Sequence, residues 1–273
     1  MKKLPIAYQL YGVRNEMERD FRGTLGEVRR IGFDGVEFAG FFGRSAKEIR
    51  AALNELGLQP ISSHVPLKLI QADSQAVIDY HRELGCSYIA IPYLEESDRP
   101  GMPGFAKVIA WIIRFGIACQ KAGIRLLYHN HDFEFRKVSG LYGLDFLYEA
   151  VPAELLSSEL DTCWVKYAGV DPITYLASYK GRAPLVHIKD FVSDNKSRTP
   201  YALIGMENGS EPDRSGFSYR PFGHGSQDAE ELVNAAIQAG AEWLVLEQDD
   251  PSGESPFADA RDSMETFRRL GVK

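Results

Sequence analysis

GFAKVIAWIIRFGIACQKAGIRLLYHNH (residues 104–131) contains one complete unit of the pattern that decides the fold. Residues 104–123 predict a long amphipathic helix that ends at a glycine, and the apolar run from Ile124 predicts a short strand. Short continuous apolar runs bounded by turns are typical of strands buried on both faces of a parallel sheet. The stretch therefore predicts a helix that leads directly into a parallel strand.

The same alternation of helical segments and short apolar runs continues along the chain. Eight strand–helix pairs in 273 residues are what a (β/α)8 barrel of about 250 residues requires. An open doubly wound sheet would give the same alternation, but no G-x-G-x-x-G follows the first strand, where such sheets bind dinucleotides. We therefore predict a single α/β domain, a TIM barrel, over residues 1–273. The predicted strands cover residues 6–10, 35–40, 59–64, 88–93, 124–131, 156–164, 183–191 and 241–249.

One connection breaks this rhythm. Residues 192–225 are rich in Ser, Asp, Gly, Arg and Tyr and show no clear period. A loop of this length in a compact domain usually has a function or is disordered, and here it could act as a lid over the substrate. Arg214 and Arg220, with Lys196 and Arg198, would suit a phosphate or carboxylate, although ordinary solvated charges explain them at least as well.

Composition narrows the class of protein. Hydrophobic content of 44% and charged content of 25% are those of an ordinary globular protein. The net charge of −7 argues against a nucleic-acid partner, because such binding depends on neutralising phosphates with Lys and Arg. Three scattered cysteines favour a reducing compartment, and neither a signal peptide nor a membrane-length apolar run is present. We expect a cytoplasmic protein.

Ionisable residues lie where most of the predicted strands end. In a TIM barrel these carboxyl ends form the active-site face. Hydrogen bonding could satisfy any one such group, but so many at one end of the barrel predict a shared site, since lone charges in apolar runs are costly. His81, in contrast, lies in the middle of a helix and is expected at the surface or its boundary. The strand-end residues are Glu37, His64, His129, His131, Asp161, His187 and Glu247, with His224 in the loop before the eighth strand.

The fifth to eighth strands are consecutive around the barrel and contribute one group each: His129, Asp161, His187 and Glu247. Two imidazoles and two carboxylates suit a divalent ion, Mn²⁺ first, with Zn²⁺, Co²⁺ or Mg²⁺ as alternatives. An octahedral ion with four protein ligands keeps two positions for water or substrate, which is the open geometry of a Lewis acid.

Seven short motifs in register resemble the sugar phosphate isomerase/epimerase family, the xylose-isomerase-like TIM barrels. The resemblance covers nearly the whole chain. It implies one divalent metal held by the fifth to eighth strands, a keto or aldehyde sugar as substrate, and proton transfer at the carbon next to the carbonyl. By position, Asp161, His187 and Glu247 match three of the family's metal ligands. The motifs are AYQLYGVR, GFDGVEFAG, YHNHDFEF, ELDTCW, LVHIKD, PFGHG and LVLEQD.

The chain departs from this family at the fifth strand. Most epimerases of the family place a glutamate there, in sequences like LENH, whereas this chain has His129 in YHNH. Inosose dehydratase, a relative, also looks histidine-rich at this strand. His129 would then bind the metal in place of the glutamate, with Glu134 as the alternative fourth ligand. Because side chains alternate along a strand, His131 points the same way as His129 and is a candidate base.

Endonuclease IV belongs to the same superfamily and is similar to this chain at SSHVP, LDTC and VHIKD. Its three-zinc cluster needs further histidines, but Trp164 follows DTC here, and the fourth strand ends without a histidine. A repair nuclease is not expected.

The resemblance implies a metal-dependent isomerase or epimerase that abstracts an α-proton and passes through a metal-stabilised enediolate. Glu247, His131 or His129 could be the base. Loss of a β-hydroxyl from the same intermediate would instead make the enzyme a dehydratase or lyase of a keto-sugar or keto-inositol. An inactive sugar-binding barrel is the third possibility, although it predicts an eroded ligand set.

Other residues near the strand ends are candidates for binding a small sugar or sugar-derived substrate. Asp190 could orient an imidazole or be a solvated loop charge. Barrels of this kind often pair, so a homodimer is expected. The substrate-binding candidates are Glu37, His64, Trp164, Lys189 and His224, then Gln9, with Tyr93 and Phe133 as possible aromatic walls.

Overall fold

The computed structural model describes residues 3–193, 216–253 and 255–273. Its strands are β1 (Ile6–Gln9), β2 (Gly35–Phe38), β3 (Gln59–Ser63), β4 (Tyr88–Ile91), β5 (Arg125–His129), β6 (Lys137–Val138), β7 (Leu141–Tyr142), β8 (Ser157–Asp161), β9 (Leu185–Ile188), β10 (Asp190–Ser193), β11 (Phe217–Arg220) and β12 (Trp243–Leu246). Its α-helices are α1 (Arg14–Arg19), α2 (Phe21–Ile31), α3 (Ala46–Leu56), α4 (Leu67–Ala72), α5 (Ser74–Leu84), α6 (Phe105–Lys121), α7 (Gly143–Ala150), α8 (Thr162–Tyr167), α9 (Pro172–Ser178), α10 (Ala229–Ala239) and α11 (Pro256–Arg269). Three short 3-10 helices cover Leu10–Val13, Glu96–Asp98 and Phe133–Phe135.

Eight parallel strands form a nearly closed barrel, in the order β3-β2-β1-β12-β9-β8-β5-β4. The two end strands meet through a single parallel bridge between His64 and Ala90. Backbone hydrogen bonds from Val65 to Ala90 (2.8 Å) and from Ser87 to Ile61 (3.2 Å) flank this bridge. The predicted TIM barrel is therefore confirmed, and the doubly wound sheet is excluded.

The surrounding helices form where the sequence provides caps and one apolar face. Ser45 begins α3 with a capping box, because its hydroxyl accepts the Glu48 N–H while the Glu48 carboxylate accepts the Ser45 N–H. Gly57 ends the helix with φ of 67°, a left-handed conformation that glycine adopts without strain. The buried face of α3 includes Ile49 and Leu53, which belong to the main core between strands and helices.

The barrel interior contains an apolar layer with a polar layer directly above it. Side chains alternate along a strand, so the residue two positions after an inward apolar residue also points inward. Gln9 follows Ala7 in this way, His129 follows Leu127, His187 follows Leu185 and Glu247 follows Val245. The strand ends therefore bring polar groups together over a packed floor. The apolar layer consists of Ala7, Ile61, Tyr88, Ala90, Leu127, Leu185 and Val245, with Trp243 packed against it.

The prediction of an irregular loop over residues 192–225 is partly wrong. β10 pairs antiparallel with β11, with Asp190 opposite Arg220 and Phe191 opposite Tyr219. The pairing joins segments more than 20 residues apart, so no local turn signal marks it. Lys196, Arg198 and Arg214, and with them most of the proposed lid, lie outside the described residues.

The side chain of Asp190 fixes the backbone segment that follows this two-stranded sheet. Its carboxylate accepts backbone hydrogen bonds from Phe191 (2.9 Å) and from Gly223, Gly225 and Gln227 (3.0 Å each). A Cβ at Gly225 would lie 2.2 Å from the Asp190 carboxylate, so glycine is required there. Both expectations for Asp190 were wrong, because the side chain is buried and fully used by the backbone.

His81 is buried in the core, not at the surface or boundary as expected from its place in a helix. Its Nε2 lies 2.5 Å from the Ser63 hydroxyl, and its Nδ1 lies 2.6 Å from the Val77 carbonyl oxygen. Both ring nitrogens are therefore satisfied, which makes burial affordable. None of the described helices has the length and apolar character needed to cross a membrane.

Candidate active site

Four side chains from the fifth to eighth barrel strands converge above the apolar layer. Single donor atoms of His129, Asp161, His187 and Glu247 all lie within 4.8 Å of one another, and all four residues are buried. They lie beside a cavity of about 350 Å³ at the carboxyl ends of the strands. The structure therefore brings together the four groups that were expected to converge.

Asp161 ends β8 and divides its two oxygens between two roles. Oδ1 caps α8 by accepting hydrogen bonds from the N–H groups of Cys163 (2.8 Å) and Trp164 (3.0 Å). Oδ2 forms no hydrogen bond within the described residues and is fully buried. The Asn130 side chain holds the backbone of Asp161 through both its N–H (2.9 Å) and its carbonyl oxygen (3.2 Å). One rigid, free carboxylate oxygen is thus directed at the cluster.

His129 presents one nitrogen to the same point. Its Nδ1 lies 3.3 Å from the Pro92 carbonyl oxygen, a contact that places the proton on Nδ1. Nε2 then faces Oδ2 of Asp161 at 3.4 Å and Oε2 of Glu247 at 3.6 Å. Burial opposes a charge on His129, but these two carboxylates raise its pKa above the usual value. A histidine whose second nitrogen is fixed by a carbonyl is the usual arrangement of a metal ligand.

His187 lies between two carboxylates. Its Nδ1 lies 2.8 Å from Oε2 of Glu247, and its Nε2 lies 2.9 Å from Oε1 of Glu37. Burial opposes a charge on His187, but Glu37 and Glu159 raise its pKa well above the usual value. A metal at Nδ1 would have to displace the proton shared with Glu247.

Lys189 places a buried ammonium group against the same carboxylates. Nζ lies 3.1 Å from Oε2 of Glu247, 3.2 Å from Oδ1 of Asp249 and 3.5 Å from Oδ2 of Asp161. Burial would lower the pKa of Lys189, but these three carboxylates hold it well above its usual value. The ring of Trp164 packs 5.0 Å from Nζ. Lys189 therefore stays charged within the site.

His131 and Glu134 do not belong to the cluster of His129, Asp161, His187 and Glu247. Burial and the neighbouring charges of His129 and Lys189 hold the pKa of His131 well below its usual value, so the ring is neutral. The Glu134 carboxylate accepts hydrogen bonds from the Tyr128 hydroxyl (2.6 Å) and the His131 N–H (2.8 Å). Burial raises the pKa of Glu134 to about 7. Among the described residues, Glu134 belongs to no group of converging donors.

A second cluster lies deeper, around His64. Nε2 of His64 lies 2.8 Å from Oε2 of Glu159 and 3.1 Å from Oε1 of Glu37. Burial opposes the charged form, but the two carboxylates raise the pKa of His64 to about 10. The amide nitrogen of Gln9 lies 3.2 Å from the other ring nitrogen. The sequence analysis missed Glu159, although it precedes Asp161 by two residues and therefore shares its face.

The remaining predicted residues are divided between the cavity wall and the interior. Trp164 and Glu37 are fully buried and His224 is exposed, and none of the three lines the cavity. Phe133 stacks on His131 instead of lining the wall. Asp249, which the sequence analysis did not single out, does line it. The predicted residues that line the cavity are Gln9, His64, Tyr93, His129, His131, Lys189 and Glu247.

The family profile for the xylose isomerase-like TIM barrel matches residues 25–270. The chain belongs to this family. Its members include isomerases, epimerases and dehydratases, and divalent metals are common among them. The family assignment therefore makes the chain a member of an enzyme superfamily and agrees with a metal centre built from His, Asp and Glu.

Individual relatives are distant. An inosose dehydratase of Clostridium beijerinckii is 23% identical over 267 residues, which are 88% of this chain and 86% of that protein. One of Geobacillus kaustophilus is 23% identical over 193 residues, 63% of this chain and 62% of the relative. A sugar phosphate isomerase/epimerase structure from Parabacteroides distasonis superimposes with a TM-score of 0.78 at 19% identity, covering 98% and 97% of the two chains.

Proposed function

We propose that this xylose isomerase-like barrel is a divalent-metal-dependent enzyme that removes the proton next to the carbonyl of a sugar or sugar derivative. The convergence of His129, Asp161, His187 and Glu247 carries this proposal. The hydrogen-bond-free Oδ2 of Asp161 and Nε2 of His129 fit a metal ion. When bound, Mn²⁺ or another divalent ion would polarise the carbonyl and stabilise the negative charge that proton removal creates.

Two side chains of the cavity wall could move the proton. His131 is neutral and can accept it, and Glu247 is ionised because Lys189, His129 and His187 hold the pKa of Glu247 well below its usual value despite burial. The apolar layer closes the barrel interior beneath them.

Loss of water is the outcome that the site favours. Lys189 supplies an ammonium proton 3.1 Å from Glu247, so an acid and a base are adjacent. The base would take the proton from carbon, the C–O bond of the neighbouring hydroxyl would break, and Lys189 would protonate the departing oxygen to give water. The new C=C bond takes the electron pair left by the proton. The similarity to inosose dehydratases supports this choice.

Isomerisation or epimerisation is the second candidate, and one observation favours it. His131 and Glu247 both line the cavity, so two different groups are available to remove a proton and to return one. The structural similarity to a sugar phosphate isomerase/epimerase agrees with this alternative at the level of the fold.

Incubation with keto-inositols and ketoses in D₂O with Mn²⁺ distinguishes the two reactions. Formation of an unsaturated or deoxy product with loss of water supports the dehydratase, whereas α-deuterium with all hydroxyls retained supports the isomerase or epimerase. Asp161→Asn should abolish either reaction. Exchange that is unaffected by this substitution and by chelation would contradict the metal-dependent proposal.

The cellular location and the oligomeric state of the protein are also part of the proposal. All three cysteines are unpaired and buried, which agrees with a reducing, cytoplasmic location. A homodimer is part of the same proposal.

A further inference from the structure

We infer that the cluster of Glu37, His64 and Glu159 is a second divalent-cation site, below the first and separate from the reacting carbon. Together with His187, these residues place four donor atoms within 4.8 Å of one another. The inference relies on the proposed metal dependence but on neither of the two reactions.

Most donor atoms of this cluster lack a hydrogen-bond partner in the described part of the chain. Both oxygens of Glu37, Oε1 of Glu159 and Nε2 of His187 form no hydrogen bond within the described residues. Glu37 and Glu159 are nevertheless fully buried. Buried polar atoms are nearly always satisfied, so four such atoms that face one another indicate a missing common partner.

The second argument is the spacing. Oε1 of Glu37 lies 2.9 Å from Nε2 of His187 and 3.1 Å from Nε2 of His64, and His64 lies 2.8 Å from Glu159. Ligands about 2.1 Å from one ion lie roughly 3.0–3.4 Å apart in octahedral or tetrahedral geometry. Oε1 of Glu37 and Nε2 of His187 lie close to this separation, but they do not form a hydrogen bond with each other.

The third argument is charge. Glu37 and Glu159 bring two carboxylates into the interior, where they face His64 and His187. A divalent cation neutralises both carboxylates.

His187 lies between the two sites, since Nδ1 faces Glu247 and Nε2 faces Glu37. With an ion on each nitrogen the ring would have lost both protons and would be an imidazolate, whose negative charge the two ions compensate. Glu37 and Glu159 have no exposed surface, so an ion held by them would lie behind the cavity wall, to which His64 belongs. It would tie β2 and β8 to the residue after β3, across the barrel interior.

The test is the stoichiometry of Mn²⁺ binding to the chelator-treated, full-length chain, measured by equilibrium dialysis with elemental analysis. We expect two ions per chain in the wild type and one in Glu159→Gln. Glu242→Gln, a carboxylate at the opposite end of the barrel that contacts Arg125, is the matched control and should retain two. Asp161→Asn, which removes a first-site ligand, should also bind one.

A single ion in the wild type, or two ions in Glu159→Gln, would overturn the inference. If Glu159→Gln does not fold, Asp161→Asn still decides, because it must retain one ion if the second site exists and none if it does not. Electron paramagnetic resonance gives an independent readout: the second equivalent of Mn²⁺ should broaden the signal of the first in the wild type and in Glu242→Gln but not in Glu159→Gln. Loss of the proposed reaction with two ions bound would count against that reaction, not against the site.

Discussion

The two oxygens of Asp161 can be separated by substitution. Asn keeps an oxygen for the helix cap on Cys163 and Trp164 but loses the charged oxygen that faces the cluster. We expect Asp161→Asn to lower Mn²⁺ affinity by at least about tenfold, the lower end of the effect of altering even an indirect metal partner. Asp161→Ala should lose the same affinity and a further stability of about 1 kcal/mol, typical of a lost cap. Calorimetric titration and urea unfolding measure the two effects, and equal stability of both variants would contradict the division of roles.

The identity of the fifth-strand ligand is decided by a second pair of substitutions. Nε2 of His129 faces Asp161, whereas both Glu134 oxygens accept hydrogen bonds from Tyr128 and the His131 N–H. His129→Ala should therefore bind one Mn²⁺ ion fewer than the wild type, and Glu134→Gln should bind as many as the wild type, as determined by elemental analysis. The reverse result would assign the ligand to Glu134.

Glu134 should also give stability a pH dependence. The native pKa of about 7 lies above the ordinary value of 4.5, so between these pH values the native state holds a proton that the unfolded chain has lost. The free energy of unfolding must then fall as pH rises, by at most about 3 kcal/mol from this residue. Glu134→Gln should show a flatter profile from pH 5 to 8 in urea unfolding. Parallel profiles for variant and wild type would show that the Glu134 shift is absent.

The sequence predicted which strand ends bring ionisable groups together but not how deep each side chain lies. Alternation placed His129 and His131 in one cavity correctly. It could not show that Trp164 lies behind Lys189 or that Glu37 lies below the cavity, because alternation identifies a face and not a layer. Glu159 was missed because it lies inside the apolar run, whereas Asp161 ends that run and was the residue assigned to the site.

Among the elements, α3 offers a clean measure of helix capping. The Ser45 hydroxyl accepts the Glu48 N–H, whereas Ser255 at the start of α11 makes no side-chain cap. Ser45→Ala should therefore cost about 1 kcal/mol in urea unfolding, and Ser255→Ala should be close to neutral. Similar losses of unfolding free energy in both variants would mean that the capping box is not the cause of the effect.

Element boundaries followed the sequence until long-range pairing intervened. The predicted strand at 156–164 ends early, at Asp161, because the side chain of Asp161 caps a helix that begins at the next residue. The strands Asp190–Ser193 and Phe217–Arg220 were invisible because each is stabilised only by the other, far along the chain. Local patterns carry no information about such partners.

For the molecule as a whole, metal binding should raise thermal stability. Binding to the native state alone contributes about 2.7 kcal/mol when free ion is 100 times Kd, which in a chain of this size raises Tm by roughly 5–10 °C. The increase should be larger at pH 8 than at pH 6, because His129 and His187 must be unprotonated to bind. Differential scanning calorimetry with Mn²⁺ and with chelator measures the shift, and Asp161→Asn should show a smaller one. A Tm independent of Mn²⁺ would contradict metal binding by the folded chain.

The barrel wall has uneven stiffness. β5, β8, β9 and β12, which carry the first cluster, are joined by continuous ladders, while β3 and β4 meet through the single bridge at His64 and Ala90. Val65 and Tyr93, which line the cavity, stand directly above that join. Opening the barrel at this join would break fewer backbone hydrogen bonds than opening it between the strands that carry the first cluster. Widening of the cavity beside Val65 and Tyr93 would therefore leave the geometry of the first cluster unchanged.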